Sequence, residues 1–400
     1  MRLPVTVFAF AVLSPLAALA QPQPADANQP GAAPGAAPVV TPPTDATPPP
    51  PMPPPSPVVV MPPAPPAPPA PPAKTWKDLL IVDGLVDAYY MYNFTGSDSL
   101  TSPAGTIPVR SFDVNSNAFT LSYAKIGLGV NPEPVGLRID LGYGATGLAV
   151  NANSDPVLLQ QAFATLAVGM LTLDFGKFMT TAGAEVIEAN KNWNYSRSIL
   201  FFNIPLVHTG VRASLKLTNE LILQASIVNG WNGQGFEAET NSDKTYGLSV
   251  NFTAPSATNI IATTYIGKEG TSEDTRFLLD LVVAQTIGTI GLNLNIDYIK
   301  EGDTSFFGAA AMARLALHDN FVLALRGEFA KLTPAVGDAV NLGEGTVTAA
   351  IPFGGRLEVR AEVRADFADV ENFNAAPGEV MAIPDKKNQV TGTAAFLAWF

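Results

Sequence analysis

The strongest structural signal in this chain is the stretch RLEVRAEVRADF at residues 356–367. Charged and apolar residues alternate strictly along it, from Arg356 to Phe367. Because successive side chains of a β-strand point to opposite faces, a strand here would have one ionic face and one apolar face. A helix would spread both kinds of residue around its circumference. The stretch therefore predicts a strand with water on one side and either a protein core or lipid on the other.

Composition and the N-terminal residues indicate an exported membrane protein. Only 14% of the 400 residues are charged, 47% are hydrophobic, and there is no cysteine. Residues 1–20 contain an early arginine, an apolar run and a small-x-small cleavage site, which predict a secretory signal peptide. No later stretch offers about 18 consecutive apolar residues, so we expect no transmembrane helix. An exported protein that lives in a membrane would then have to be a β-barrel.

Charge and motifs exclude several classes of function. The formal net charge is −12, which argues against a nucleic-acid partner because such partners require basic patches. Only His208 and His318 could act as imidazole bases, and there is no Gly-x-Ser-x-Gly elbow. The sequence shows no phosphate-binding loop and no metal-ligand cluster. We therefore expect no enzymatic activity, no cofactor and no bound metal.

Residues 21–75 form a segment of their own, which holds most of the 36 prolines together with many alanines. Such a composition favours polyproline II and cannot pack a core, so it predicts a disordered periplasmic tether. Two interpretations of the tether stay open. It is either a solvated spacer or a rod that contacts peptidoglycan or a periplasmic partner.

From residue 76 to residue 400 the sequence repeats segments of period-two alternation, separated by turn-forming residues. This series predicts an all-β domain of about sixteen strands. The predicted strands are 80–93, 117–130, 135–147, 158–170, 171–178, 209–217, 220–231, 244–253, 258–268, 276–287, 290–300, 305–317, 320–330, 343–352, 356–367 and 389–400.

The predicted connections alternate in length along the chain. Short turns such as 131–134 and 288–289 follow the even-numbered strands, and longer loops such as 94–116 and 179–208 follow most odd-numbered ones. An even number of antiparallel strands with this asymmetry is typical of a transmembrane β-barrel in the bacterial outer membrane. Both ends of the domain then lie on the periplasmic side, together with the tether.

The polar faces of the predicted strands carry both signs of charge, as a water-filled interior would require. A soluble β-sandwich would show the same alternation with its apolar side inward. Aromatic residues near strand ends, Tyr89 and Trp399 among them, favour the membrane, where they would form interfacial girdles. The predicted lumen-lining residues are Arg138, Asp140, Arg212, Lys216, Arg326, Glu328, Arg356, Glu358, Arg360, Glu362, Arg364 and Asp366.

The chain ends in the apolar and aromatic sequence FLAWF, residues 396–400. This ending resembles the C-terminal signal of outer-membrane barrels, in which a terminal Phe is read by the insertion machinery. Ala398 departs from the usual pattern, which has an aromatic residue there. The resemblance implies that the insertion machinery and outer-membrane lipid are partners.

The longest predicted outer loop, residues 179–208, is too apolar for a freely solvated loop and too irregular for a strand. We therefore expect this loop to pack against another part of the protein. If it folds into the lumen, Glu185, Glu188, Lys191 and Arg197 are candidates for a pore constriction, where their charges would screen solutes. The alternative is a lid outside the barrel whose aromatic residues pack locally.

Short motifs surround this loop: GKF at 176–178, EVIE at 185–188, NYSRS at 194–198, HTGV at 208–211 and VNGW at 228–231. Together they resemble the OmpL-like outer-membrane porins of the beta-barrel-porin-2 family, over about 80–400. The resemblance implies an outer-membrane barrel with pore activity. It implies no catalytic residues and no particular solute.

A barrel of about sixteen strands leaves an aqueous channel rather than a packed interior. We therefore expect passive diffusion of small hydrophilic solutes or ions. The alternative is a structural anchor or adhesin with an occluded pore, tethered through its Pro-rich segment. From Lys74 onward acidic residues outnumber basic ones, which favours cations weakly. A homotrimer is an analogy with other sixteen-stranded porins and cannot be read from the sequence.

Overall fold

The computed structural model describes residues 79–96, 100, 108–151, 155–232, 241–270, 272, 274–373 and 384–400. The predicted signal peptide (1–20) and tether (21–75) lie outside these ranges and stay predictions. Within them, no helix is long and apolar enough to cross a membrane.

Sixteen antiparallel strands form one closed barrel, in which each strand pairs with its sequence neighbours and the first pairs with the last. This confirms the predicted fold. The strands are β1 Leu80–Asn93, β2 Ala118–Val130, β3 Val135–Tyr143, β4 Val157–Val168, β5 Leu171–Met179, β6 Val207–Lys216, β7 Leu221–Val228, β8 Thr245–Thr253, β9 Thr258–Lys268, β10 Thr275–Ile287, β11 Ile290–Glu301, β12 Thr304–His318, β13 Phe321–Thr333, β14 Val340–Phe353, β15 Leu357–Ala368 and β16 Asn388–Trp399. The described helices are α1 (Ala145–Val150) and two 3-10 turns, Ala189–Lys191 and Leu200–Phe202.

The barrel closes at a seam between β1 and β16. Their register aligns Leu85 with Trp399 and continues to Asn93 opposite Thr391. Beyond β16, Phe400 extends the pairing, because its backbone exchanges hydrogen bonds with Gly84 at 3.1 and 3.2 Å. Phe400 is therefore part of the wall.

The two faces of β15 show which side of the barrel is apolar. Val363 and Phe367 point outward and are 55% and 51% exposed, whereas Arg364 and Asp366 point inward and are at most 1% exposed. The other strands repeat this arrangement, so a belt of apolar side chains surrounds the barrel. A belt of this size is unfavourable in water and matches the hydrocarbon of a bilayer.

Most long connections lie at one end of the barrel and short turns at the other, and we call these the long-loop end and the short-turn end. The two-residue connection 302–303 is a short exception at the long-loop end. The short-turn end carries the turns 131–134, 169–170, 217–220, 254–257, 288–289, 319–320 and 354–356. The long-loop end carries the loops between odd and even strands, of which L1 (94–117), L3 (180–206) and L8 (369–387) concern function.

Some local predictions were wrong. The third strand ends at Tyr143 instead of 147, because Gly144 has φ = 135°, a value that suits glycine, and the chain turns into α1. Tyr89 and Trp399 do not belong to the aromatic girdles. Both face the interior, where Tyr89 packs on the Tyr195 ring at 5.7 Å and Trp399 packs against buried side chains.

Candidate pore constriction

L3 runs into the barrel instead of away from it. Its apolar side chains Ile187, Ile199 and Leu200 are fully buried. The wall makes room for them: a Cβ atom added at Gly308 of β12 would lie 2.7 Å from Leu200 Cδ1. The apolar character of the loop is thus explained by packing against the inner wall.

Arg326 on β13 is the most heavily bonded attachment of L3 to the wall. Its guanidinium bonds Glu185 Oε1 at 2.9 Å and donates to the Ser196 carbonyl oxygen at 2.6 Å, both within L3. On the wall side it donates to Glu344 Oε2 of β14 at 3.0 Å. Because Arg326 is only 3% exposed, these charge-assisted bonds form away from water, where they are strongest.

Two wall carboxylates, on β15 and β13, accept backbone N–H groups of L3. Glu362 accepts from the N–H groups of Tyr195 at 2.6 Å and Ser196 at 3.0 Å. Glu328 accepts from the N–H of Ile199 at 2.8 Å. An irregular loop has no sheet ladder for its amides, and burying them unpaired would be costly. The carboxylates supply the bonds that a neighbouring strand would otherwise provide.

Two arginines of β15 satisfy carbonyl groups of L3 in the same way. Arg360 donates to the carbonyl oxygens of Ala189 at 3.0 Å and Asn194 at 3.1 Å. Arg364 donates to the carbonyl oxygen of Arg197 at 2.6 Å. The ionic face of β15 is therefore the surface on which L3 rests.

L3 also contacts β1 and the inner part of L1. The Tyr195 hydroxyl donates to Asp87 Oδ1 of β1 at 2.9 Å. The Arg197 guanidinium donates to the Tyr195 carbonyl oxygen at 2.8 Å and lies 5.1 Å from the centre of the Phe112 ring in L1. Since Phe112 is buried, L1 covers part of L3 from the long-loop end.

Glu188 ties L3 to β2 through a lysine of the wall. Its Oε1 atom lies 2.5 Å from Lys125 Nζ and 3.2 Å from Nζ of Lys191, its neighbour in L3. Burial alone would raise the pKa of Glu188, but the two ammonium charges outweigh it and lower the pKa to about 2. Glu188 is therefore ionised near neutral pH.

The four predicted constriction residues differ in their access to solvent. Glu185, Glu188 and Arg197 are 6%, 4% and 1% exposed, and each is bonded within the attachment of L3. The side chain of Lys191 is 58% exposed. The geometry thus places three of them in the attachment and one at the surface, and their part in screening solutes stays a prediction.

Other residues predicted to line the lumen form ion pairs along the inner wall. The pairs are Arg138 with Asp140 (2.6 Å) and Asp83 (2.6 Å), Arg212 with Asp174 (2.8 Å), Arg364 with Asp366 (2.7 Å), and Arg360 with Glu358. Side chains of Arg138 and Arg212 keep partial exposure, unlike the buried group that holds L3.

Lys216 and Arg356 lie at the short-turn rim. Lys216 is the exposed last residue of β6. Arg356 is exposed in the turn before β15, so the prediction that it belongs to the strand was wrong. The observed strand begins one residue later, at Leu357, although the Arg356 carbonyl oxygen accepts the Trp399 N–H of β16 at 2.8 Å.

Sequence analysis missed Glu344, Asp87 and the buried part of L1 at 108–116. Glu344 is flanked by glycines, which hide the alternation of β14. Asp87 could have been found, because it follows Asp83 by four positions and both interrupt an apolar run on the same face of β1. Among the described residues, no group of three or more histidine, aspartate or glutamate side chains could hold a metal ion.

A closed barrel of sixteen antiparallel strands, with an apolar outer belt and its third loop fixed inside, defines a porin-like outer-membrane protein. Solved structures share this fold at low identity. They include the anion-selective porin from Comamonas acidovorans (11% identity, TM-score 0.56, covering 80% of this chain and 99% of that one) and OmpF of Salmonella typhi in complex with daunomycin (12%, 0.55, 80% and 97%). OmpT of Vibrio cholerae, an outer-membrane protein in a trimer form, is similar too (10%, 0.52, 80% and 99%).

The chain belongs to the family described as "Putative beta-barrel porin-2, OmpL-like", whose model matches residues 80–400. The match confirms the resemblance seen in the motifs around L3. No sequence among the curated proteins matches this chain.

Proposed function

We propose that this barrel is a porin through which small hydrophilic solutes or ions diffuse passively. Sixteen strands enclose an interior wide enough for an aqueous channel. The observation that carries the proposal is the attachment of L3, whose N–H and C=O groups are both hydrogen-bonded to the inner wall. A loop fixed in this way narrows the lumen at a constant position, as a size filter requires.

Within this proposal the charged residues have two roles. Glu185, Glu188 and Arg197 keep the constriction in shape, and Lys191 provides the exposed charge of L3. Partly exposed ion pairs, such as Arg138 with Asp140, line the remaining lumen. The activity is therefore passage of solutes rather than catalysis.

The proposed porin function also suggests how the barrel is oriented in the outer membrane and how it assembles. The short-turn end faces the periplasm, which would place the N-terminal tether there. The C-terminal strand is the part that the insertion machinery reads, and Phe400 closes the seam with Gly84. A homotrimer is the expected assembly, by analogy with the trimer form of the Vibrio cholerae protein.

A second candidate is a structural anchor or adhesin with an occluded pore, and the loops at the long-loop end favour it. Phe112 of L1 is buried against Phe201 of L3, with ring centres 5.7 Å apart. Phe373 of L8 is buried in a cluster that includes Ile204 of L3. These contacts place parts of L1 and L8 directly against L3, where they would take up space in the lumen.

Purified full-length protein in planar bilayers separates the two candidates. Stepwise conductance is expected for the porin, and a variant lacking residues 182–200 should conduct more if L3 is the constriction. Silence from a barrel with intact β-structure would favour the anchor. Unchanged conductance after the deletion would remove L3 from the solute path.

A further inference from the structure

Three cations of the inner face lie near the short-turn mouth: Lys216 and Arg314, which form no ion pair within the described residues, and Lys191, whose side chain is 58% exposed. We propose that they form a ring that makes this pore favour small anions, such as chloride, phosphate and short carboxylates. This inference rests on the proposed porin function, and it specifies small anions as the class of solute that the pore favours. It runs against the net charge of the chain, which is −12.

The three residues are spread around the barrel. Lys216 ends β6, and Arg314 lies on the inner face of β12, four residues before its last residue. Lys191 lies 3.2 Å from Glu188, which bonds Lys125 of β2, and Lys125 stands opposite Leu85 of β1. Because β1, β6 and β12 are five, six and five strands apart in the closed order, the cations are nearly evenly spaced.

L3 brings Lys191 to this level of the lumen. A Cβ atom added at Gly291, the second residue of β11, would lie 2.9 Å from the Trp193 ring and 3.6 Å from Arg314 Cβ. The short-turn end of β11 starts one residue earlier, at Ile290. The segment that carries Lys191 and Trp193 therefore reaches almost to the short-turn mouth.

Two of the three charges are not neutralised locally. In the described parts of the chain, Lys216 and Arg314 form no ion pair within 4.0 Å. Lys191 belongs to a balanced cluster, in which Lys125, Arg138 and Lys191 meet the carboxylates of Glu188, Asp140 and Asp83. Its side chain is 58% exposed, so its ammonium group is the member of that cluster most open to solutes.

Carboxylates on the same part of the wall are already paired. Asp83, Asp174 and Glu358 are each bonded to an arginine of the wall. The charged turn residues lie beyond the ends of the strands, where they face bulk solvent; they are Glu133, Glu220, Asp319 and Arg356. On this part of the described wall, the charges left without an opposite partner are therefore the positive charges of Lys216 and Arg314.

Acidic residues without a basic partner are found deeper, out of reach of solutes. Asp280 and Asp297 are paired across β10 and β11, are fully buried, and form no ion pair within the described residues. Asn295 donates to Asp280 at 2.7 Å and to Asp297 at 3.1 Å, and it accepts from the Ala184 N–H of L3 at 3.1 Å. L3 thus covers these carboxylates.

Rings of Lys and Arg side chains are a known basis of anion preference in pores. In water, one unit charge about 7 Å from an ion changes its local concentration about threefold, and salt weakens the effect. Two unpaired charges, together with the exposed ammonium group of Lys191, should give a measurable excess of anion over cation permeability.

The test is the reversal potential of the full-length protein in planar bilayers under a KCl gradient. We expect an anion-to-cation permeability ratio of about 3 or more for the wild type at low salt, from the same Coulomb estimate. The variant K191Q/K216Q/R314Q should bring the ratio to about 1 or below. K300Q is the matched control, because Lys300 is exposed on the outward face of β11, and it should leave the ratio unchanged.

The outcomes separate the two proposals. A conducting wild type with a ratio below 1, or a triple variant with an unchanged ratio, would overturn the anion preference and leave the porin function intact. A silent wild type would overturn both. If the triple variant does not assemble, K216Q alone provides the readout, since Lys216 is exposed at a strand end and should lower the ratio by itself.

Discussion

Replacing Arg326 with methionine should release L3 from the wall. Arg326 bonds Glu185 at 2.9 Å, the Ser196 carbonyl oxygen at 2.6 Å and Glu344 at 3.0 Å. Methionine has a similar length but no hydrogen-bond donor, so all three bonds are lost and the wall carboxylates lose their partner. The loop and the wall would then repel each other where they now attract.

The magnitude follows from the burial of the pair. Removing one partner of a buried ion pair costs about 3–5 kcal/mol, because the remaining charge stays buried without compensation. Since about 1.4 kcal/mol is a tenfold change in an equilibrium, the population with L3 displaced should rise by about two to four orders of magnitude.

Single-channel recording is the assay for this change. R326M should show larger conductance levels or frequent transitions between levels, where the wild type shows one stable level. K331M is the matched control: Lys331 lies on the same strand and loses the same charge, but it is exposed on the outward face. R326K keeps the charge without the forked geometry and should be intermediate.

An R326M barrel with wild-type conductance and equally stable levels would refute the reasoning. It would mean that the remaining contacts of L3, such as those of Glu362, hold the loop without Arg326. Loss of folded R326M with normal R326K would instead show that the same network stabilises the barrel itself.

Further predictions concern single contacts. Because the pKa of Glu188 is lowered to about 2, its ion pair with Lys125 should persist from neutral pH down to about 4 and be lost only as the pH falls through about 2. The variant E188Q should lack this ion pair already at pH 7. Channel gating recorded as a function of pH checks both expectations. Leu200→Ala should destabilise the barrel by about 2–5 kcal/mol through a cavity against Gly308, measured by urea unfolding in lipid; a loss below 1 kcal/mol would argue against tight packing of L3. Gly84→Val should disturb closure, since a Cβ atom there would overlap the Phe400 ring, and its folded fraction should fall below that of Gly327→Val, where no atom lies within 4 Å.

Most strands of the barrel were predictable because the alternation that identifies a strand depends only on residues that are neighbours in the sequence. Alternation over 356–367 requires only that neighbouring side chains point to opposite faces, and the observed strand is Leu357–Ala368. The third strand shows the limit of this reasoning. Apolar residues continue beyond Tyr143, but Gly144 redirects the backbone, and single-sequence alternation does not reveal that change.

The interior was less predictable because it depends on residues distant in sequence. The apolar loop at 179–208 indicated a packed segment, and the structure places L3 inside the barrel. Its charged residues could be counted, but their partners could not be assigned. Whether Glu185 faces a solute or Arg326 depends on a contact 141 residues away along the chain.

The attachment of L3 also has a consequence for biogenesis. The loop joins residues that are far apart in the chain: Tyr195 bonds Asp87, 108 positions earlier, and Arg364 bonds Arg197, 167 positions earlier. Contacts of such long sequence separation form late and slowly. The partners of L3 lie on β1 and on β15, on either side of the β1–β16 seam, so the loop reaches its full set of partners only when the last strands are in place. Fixing L3 and closing the barrel are therefore coupled steps.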